Sequence, residues 1–437
     1  MAATALDSRT TLLRGGRVID PASGLDATGD VLLAGGRVQS ISTMPGTIAA
    51  GAGIEVLECE GLIVCPGLID PHVHLREPGG EHKETIATGV AAAAAGGFTT
   101  VCCMPNTSPC LDNAALVAFV HQRAAVAGRT RVFVAGAATE GRKGERLAPM
   151  ASMAAEGAVA FTDDGDGIES ASMMQKVLAT CASVGKVFMQ HAQERTLSAG
   201  GVMHAGAVSA RLGLGGWPSV AEELMVERDV RLNRGIRARY HVQHVSSGGT
   251  VDILRRARAM GEPVSGEASP HHLLLTDEAC DGFDTNAKMN PPLRPRADVD
   301  ALLAGVADGS IDVLATDHAP HSADEKALDF SSAPFGIIGL ESALALYVKA
   351  LVASGAIDWP RLVALLTINP ARLLGLDSIG LGALGEGGPA DLTVIDPALE
   401  WTIRAAAFRS KSRNCPFEGV AVRGKATAAF VAGRRVL

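Results

Sequence analysis

GLIDPHVHL at residues 67–75 and IDVLATDHAP at residues 311–320 share one layout, an apolar run followed by metal-binding side chains at its carboxyl end. Apolar runs of this length, bounded by Gly and Pro, read as buried strands. Working inward from these two, further apolar strand-like runs are TTVCCMPN (99–106), RVFVAGAAT (131–139), AVAFTDD (158–164), KVFMQHAQ (186–193), ARYHVQHVSS (238–247) and PVSGEASPHHL (263–273), several of them ending likewise in groups able to bind metal. Helical stretches such as SASMMQKVLATCASVG (170–185) and AEELMVERDVRLNRG (221–235) lie between them. Alternating strands and helices predict a parallel sheet, and eight such units predict a closed (β/α)8 TIM-like barrel over an open doubly wound sheet. No P-loop supports a nucleotide-binding α/β alternative.

Outside this core the pattern changes. TLLRGGRVID (11–20), DVLLAGGRVQSI (30–41) and GIEVLECE (53–60) are short β-rich runs ended by turns, and ADLTVIDP (390–397) and EGVAVRGKATAAFVAGRRVL (418–437) resemble them. The two ends are expected to pair into one small β-sandwich domain, assembled from residues 1–61 and 385–437, with the barrel spanning residues 62–384. A chain of 437 residues accommodates both units. Nearly half the residues are hydrophobic, while aromatics make up 4%, a balance that suits Ala- and Gly-rich helices packed closely on a parallel sheet.

A formal net charge of -8, with scattered Lys and Arg, excludes a basic face for nucleic acid. The first residues lack a signal-peptide pattern and no apolar stretch is long enough to span a bilayer. Eight cysteines without a CxxC pair read as reduced thiols. A cytoplasmic protein with no membrane or nucleic-acid partner is the expectation.

The chemistry collects at the carboxyl ends of the strands, where barrel enzymes build their sites. In HVH the two-residue period of a strand sends His72 and His74 to one face, enough to hold a divalent ion. The fourth strand ends in Asp163-Asp164, the fifth in His191, the sixth in His244, and the eighth in Asp317-His318 with His321 just beyond. Each alone is ordinary; five strands delivering such groups to the same end are not. Four histidines with two or three carboxylates suit zinc, with manganese or cobalt as substitutes, and exceed what one tetrahedral ion needs. Two ions about 3.5–4 Å apart would share a carboxylate and activate a water, which predicts hydrolysis. No GxSxG nucleophile elbow is present. Arg76 is placed to fork with a substrate carboxylate, and Asn106 and Asn290 to offer amide hydrogen bonds. His82, His121 and His204 read as surface or helix residues and His241 as a packed barrel residue, while His271 and His272 remain open between packing and support of the ligands.

DPHVHLREPG (70–79), MPNT (104–107), FTDDG (161–165), KMNPPLR (288–294) and ATDHAPH (315–321) resemble the bacterial class I dihydroorotases of the amidohydrolase superfamily. The resemblance runs from the N-terminal strands to the ADLTVID segment. It implies two zinc ions per chain, one on His72 and His74, the other on His191 and His244, with Asp164 bridging and Asp317 joining the first site and handling the proton. By the same resemblance Arg76, Asn106 and His321 hold the substrate carboxylate and Asn290 contacts the ring. The fourth strand has no lysine to serve as a carboxylated bridge, which agrees with this branch and counts against hydantoinase and dihydropyrimidinase.

The implied reaction is the reversible cyclisation of N-carbamoyl-L-aspartate to L-dihydroorotate in pyrimidine synthesis, and the implied assembly is a homo-oligomer, alone or with aspartate transcarbamoylase. Two other readings compete. Allantoinase or another cyclic amidase would share every ligand and differ in the groups that meet the substrate. A non-catalytic dihydroorotase-like subunit, scaffolding a transcarbamoylase, would be expected to have lost ligands, and this chain has all of them.

Overall fold

Eight parallel strands follow one another around a nearly closed barrel in sequence order. They are Leu68–Val73, Phe98–Cys103, Arg131–Ala137, Ala158–Thr162, Val187–Gln190, Tyr240–Val242, Val264–Ala268 and Val313–Leu314, the eight expected segments. The computed structural model describes residues 9–437. The last strands are short, so closure rests on specific contacts between the eighth and the first. His74 N donates to His318 O at 2.9 Å, and the buried Asp70 carboxylate accepts from His72 N at 3.1 Å and from Thr316 Oγ at 2.6 Å. Burial pushes Asp70 up to about 7, against the pull of these donors.

Helices cover the outside, and several are started by a side chain that satisfies the first free N–H groups. Thr85, Asn113, Ser170 and Ser247 cap Ile86–Ala95, Ala114–Ala127, Ala171–Val184 and Gly248–Ala259. Inside Ile86–Ala95 the small residues allow close approach: a Cβ on Gly89 would lie 2.5 Å from Leu75 Cδ2. One continuous core, including Val73, Val101, Phe161, Phe188, Val242 and Leu314, joins strands to helices.

The two ends of the chain meet in a second eight-stranded sheet. Ile63–Pro66 lies at its centre, parallel to Thr10–Asp20 and antiparallel to Leu392–Thr402. This sheet therefore takes in residues just beyond 61, because Ile63 and Val64 pair on both edges before the chain enters the barrel. Pairing of Thr10–Asp20 with Ile54–Glu58 is also parallel, a register that alternation of apolar residues does not encode.

Candidate functional site

Six side chains from five strands converge at the carboxyl end of the barrel. Asp164 stands among the histidines: its Oδ1 lies 3.3 Å from His72 Nε2, 3.6 Å from His191 Nδ1 and 3.9 Å from His244 Nε2, and its Oδ2 lies 3.6 Å from His74 Nε2. Asp317 Oδ1 is 2.9 Å from His74 Nε2 and 3.4 Å from His72 Nε2. His191 Nδ1 and His244 Nε2 face each other at 2.8 Å. Two overlapping groups, His72 with His74 and Asp317, and His72 with Asp164 and His244, offer donor atoms close enough to surround a metal ion.

The local backbone is held in an unusual state at two of these positions and at nearby Arg76. Arg76, His244 and Asp317 have φ of 59°, 31° and 47°, the left-handed region that residues other than glycine seldom enter. Such strain persists where surrounding contacts fix it, and it clusters at functional sites.

The electrostatics fit a cation. Burial alone would push Asp164 up, but His72, His191 and His74 hold it well below the usual carboxylate range. Burial likewise works against a charge on His72, yet Asp317, Glu267 and Asp164 hold it well above an ordinary histidine. These carboxylates therefore demand positive charge beside them. His244 is held far down by burial and by His191 and His72, so it presents a neutral nitrogen, the form that binds metal. Imidazole nitrogens with carboxylate oxygens, in this number, suit a borderline divalent ion such as zinc.

A second cluster lies beside the first. Arg76 Nε donates to Pro320 O at 3.2 Å and its Nη2 sits 3.3 Å from His321 Nε2. Burial brings Arg76 down to about 10, so it is cationic at neutral pH. Burial and the neighbouring Arg76 and Lys83 drive His321 to about 2, which keeps its ring neutral. Asn290 Nδ2 donates to Gln193 Oε1 at 3.0 Å, while its Oδ1 is buried without a partner. Asn106 is engaged with the candidate ligands: its Oδ1 is 2.9 Å from His74 Nδ1 and its Nδ2 donates to Asp164 at 3.2 Å.

Asp163, next to Asp164, turns away. It accepts from Ala138 N and Thr139 N at 2.9 and 3.0 Å and from the Thr139 hydroxyl. His82 is exposed, and His121 lies on helix Ala114–Ala127. His204 differs from its reading as a surface or helix residue; it ends the short strand Met203–His204 and is buried against Arg294, whose Nη1 lies 3.2 Å from its Nδ1. His272 Nε2 donates to Pro291 O at 3.0 Å, and His271 Nε2 is buried without a partner.

Sequence reasoning missed Glu267. Its Oε1 is 2.6 Å from His72 Nδ1 and its Oε2 is 3.0 Å from His241 Nε2, whose Nδ1 in turn meets Ser265 Oγ at 2.7 Å. The signal was there: Ser265 and Glu267 alternate on the seventh strand, so both face the same side. What was absent is the register pairing His241 with Ser265. Gln193, 3.1 Å from His191 Nε2, and Asn414, whose side chain bonds His321 N, Ala319 O and Gly336 O, were missed too. A carboxylate behind a ligand histidine fixes ring orientation and raises basicity. Glu267→Ala should thus weaken metal binding by about 10–100-fold. Competition with a chelator checks this, and an unchanged affinity would exclude Glu267 from supporting His72.

A family model described as dihydro-orotase-like matches residues 61–249. A dihydroorotase from Pelotomaculum thermopropionicum is 47% identical over 98% of both chains, and one from Geobacter sp. (strain M21) is 47% identical over 97% of this chain and 98% of its own. Among solved structures, the L-hydantoinase (dihydropyrimidinase) from Arthrobacter aurescens superposes with a TM-score of 0.86 at 24% identity, covering 97% of this chain and 95% of its own. At that identity the likeness speaks for the fold. Carried by the relatives that match it end to end, the chain belongs to the dihydroorotase family.

Proposed function

We propose that this chain interconverts N-carbamoyl-L-aspartate and L-dihydroorotate, using two zinc ions held by His72, His74, His191, His244, Asp317 and a bridging Asp164. The observation that carries the reading is the placing of Asp164 amid four imidazoles, with its two oxygens turned to different histidines. Ions bound there supply Lewis acidity and lower the pKa of a water to near neutrality.

The chain's own residues do the rest. Arg76 forks onto the ring carboxylate, and neutral His321 donates to the same group. Asn290, whose Oδ1 has no protein partner, accepts from a ring N–H. Asn106 steadies His74 and Asp164 and reaches the carboxylate from the other side. In the hydrolytic direction Asp317 takes the proton of the attacking water and delivers it to the departing ring nitrogen; cyclisation runs the same path backward.

The catalytic unit is assigned to residues 62–384, and the terminal segments, 1–61 and 385–437, to the smaller β unit, to whose sheet Ile63–Pro66 also adds a strand. All eight cysteines are free and seven are buried, which supports a reducing, cytoplasmic setting. No helix among the described residues is long and apolar enough to cross a membrane. A homo-oligomer, with or without aspartate transcarbamoylase, remains the assembly proposed from the resemblance.

Charge balance tests the substrate pair. Carbamoyl aspartate carries two carboxylates and dihydroorotate one, so cyclisation takes up a proton. The equilibrium ratio of open to cyclic form should rise about tenfold per pH unit near neutrality, equivalent to ~1.4 kcal/mol. A pH-independent ratio reached by this enzyme would remove the proposed pair.

A further inference from the structure

We propose that the opposite mouth of the barrel carries a second binding site, for a small phosphate-bearing anion. A cavity of about 790 Å³ opens there, lined by Val187, Tyr240, Val264 and Val313, the first residues of the fifth to eighth strands. The residues assigned to metal follow the other ends of the strands, so the two sites share the barrel and no side chain. Its volume lies in the range of about 300–1,000 Å³ common for small-molecule sites.

Charge identifies the ligand class. Arg239, Arg255, Arg258, Arg361 and Arg372 line the cavity against only two carboxylates, Asp308 and Asp312. Both carboxylates are already paired. Asp308 accepts from Arg255 Nε and Nη2 at 2.9 and 2.7 Å, and Asp312 from Arg258 Nη1 at 2.6 Å. Arg239 donates to the main-chain carbonyls of Arg372 and Leu373, with Asp377 acting on it from further off. The guanidinium groups of Arg361 and Arg372 have no acceptor among the described residues.

Two guanidinium groups, those of Arg361 and Arg372, thus line one concave volume without an acceptor among the described residues, and Arg239 adds a third positive charge. A multivalent anion relieves their mutual repulsion, and the planar fork of a guanidinium matches phosphate oxygens two at a time. Because the charges line a hollow, they suit a small molecule better than the flat surface of an acidic protein. Val264, Val313 and Leu373 add an apolar wall, against which an organic group attached to the phosphates would rest. Inorganic polyphosphate and nucleoside triphosphates share the required chemistry.

The test is calorimetric titration of the full-length, zinc-loaded protein with magnesium tripolyphosphate and, separately, with magnesium complexes of uridine and adenosine triphosphate. The expected result is saturable binding of about one anion per chain. Arg361→Gln and Arg372→Gln should each weaken it about tenfold or more, the effect of one charge-assisted hydrogen bond of ~1.5–3 kcal/mol. Neither guanidinium has an acceptor to lose among the described residues, so dihydroorotate turnover without added anion should be unchanged in both variants. Tighter binding of a nucleotide than of tripolyphosphate assigns the site to nucleotides; equal binding assigns it to the phosphate chain alone. No saturable binding of any of the three, or wild-type affinity in the Arg361→Gln/Arg372→Gln double variant, overturns the proposal.

Discussion

Asp164→Ala is expected to lose at least one zinc ion per chain and to lower kcat by about a thousandfold or more, whereas Asp163→Ala keeps both ions. The two residues are adjacent, yet their surroundings differ completely. Asp164 lies within 3.3–3.9 Å of four imidazole nitrogens. Asp163 is turned to the main chain of Ala138 and Thr139. Removing Asp163 leaves those buried donors unpaired, a cost to stability of about 1–3 kcal/mol and not a loss of metal. Since a carboxylate is already an anionic ligand, reactivation of the metal-free protein by zinc should proceed equally with and without bicarbonate. Strict bicarbonate dependence, or two ions and full activity in Asp164→Ala, would remove Asp164 from the bridge.

Arg76→Lys is the second large effect. The guanidinium of Arg76 is partly buried beside His321 and Pro320 O, and an ammonium on a shorter reach cannot make its two parallel hydrogen bonds. Turnover of dihydroorotate should fall in kcat/KM by about a hundredfold, corresponding to ~2.7 kcal/mol of lost charge-assisted pairing. Dihydrouracil lacks the carboxylate, so its slow hydrolysis should change little. Equal losses on both compounds would show that Arg76 instead holds the loop that carries it.

Much of this site is legible in the sequence because the barrel turns linear order into spatial order. His72 and His74 share a face by strand alternation, and Asp164, His191, His244 and Asp317 follow the ends of their own strands. Knowing that the sheet closes is then enough to bring them together. Even PVSGEASPHHL, whose apolar pattern is weak, takes its place as the seventh strand, Val264–Ala268.

What was not legible depends on cross-strand register and on distant loops. Glu267 serves His72 from the seventh strand, 195 residues away in sequence. Asn414 braces His321 from a C-terminal segment, through hydrogen bonds to main-chain groups that no side-chain pattern reveals. The excursion after the fifth strand, with its small paired strands Met203–His204 and Gly216–Trp217, buries His204 beneath Arg294. Nothing in the local composition around His204 marks it as interior.

The most direct test of the central claim joins metal content to chemistry in a single titration. Protein stripped by a chelator should be inactive toward dihydroorotate, and zinc added back should restore turnover in proportion to occupancy, reaching its plateau at about two ions per chain. Full activity in a preparation shown to be free of metal, or a fully loaded protein that turns over neither dihydroorotate nor carbamoyl aspartate, would contradict the account.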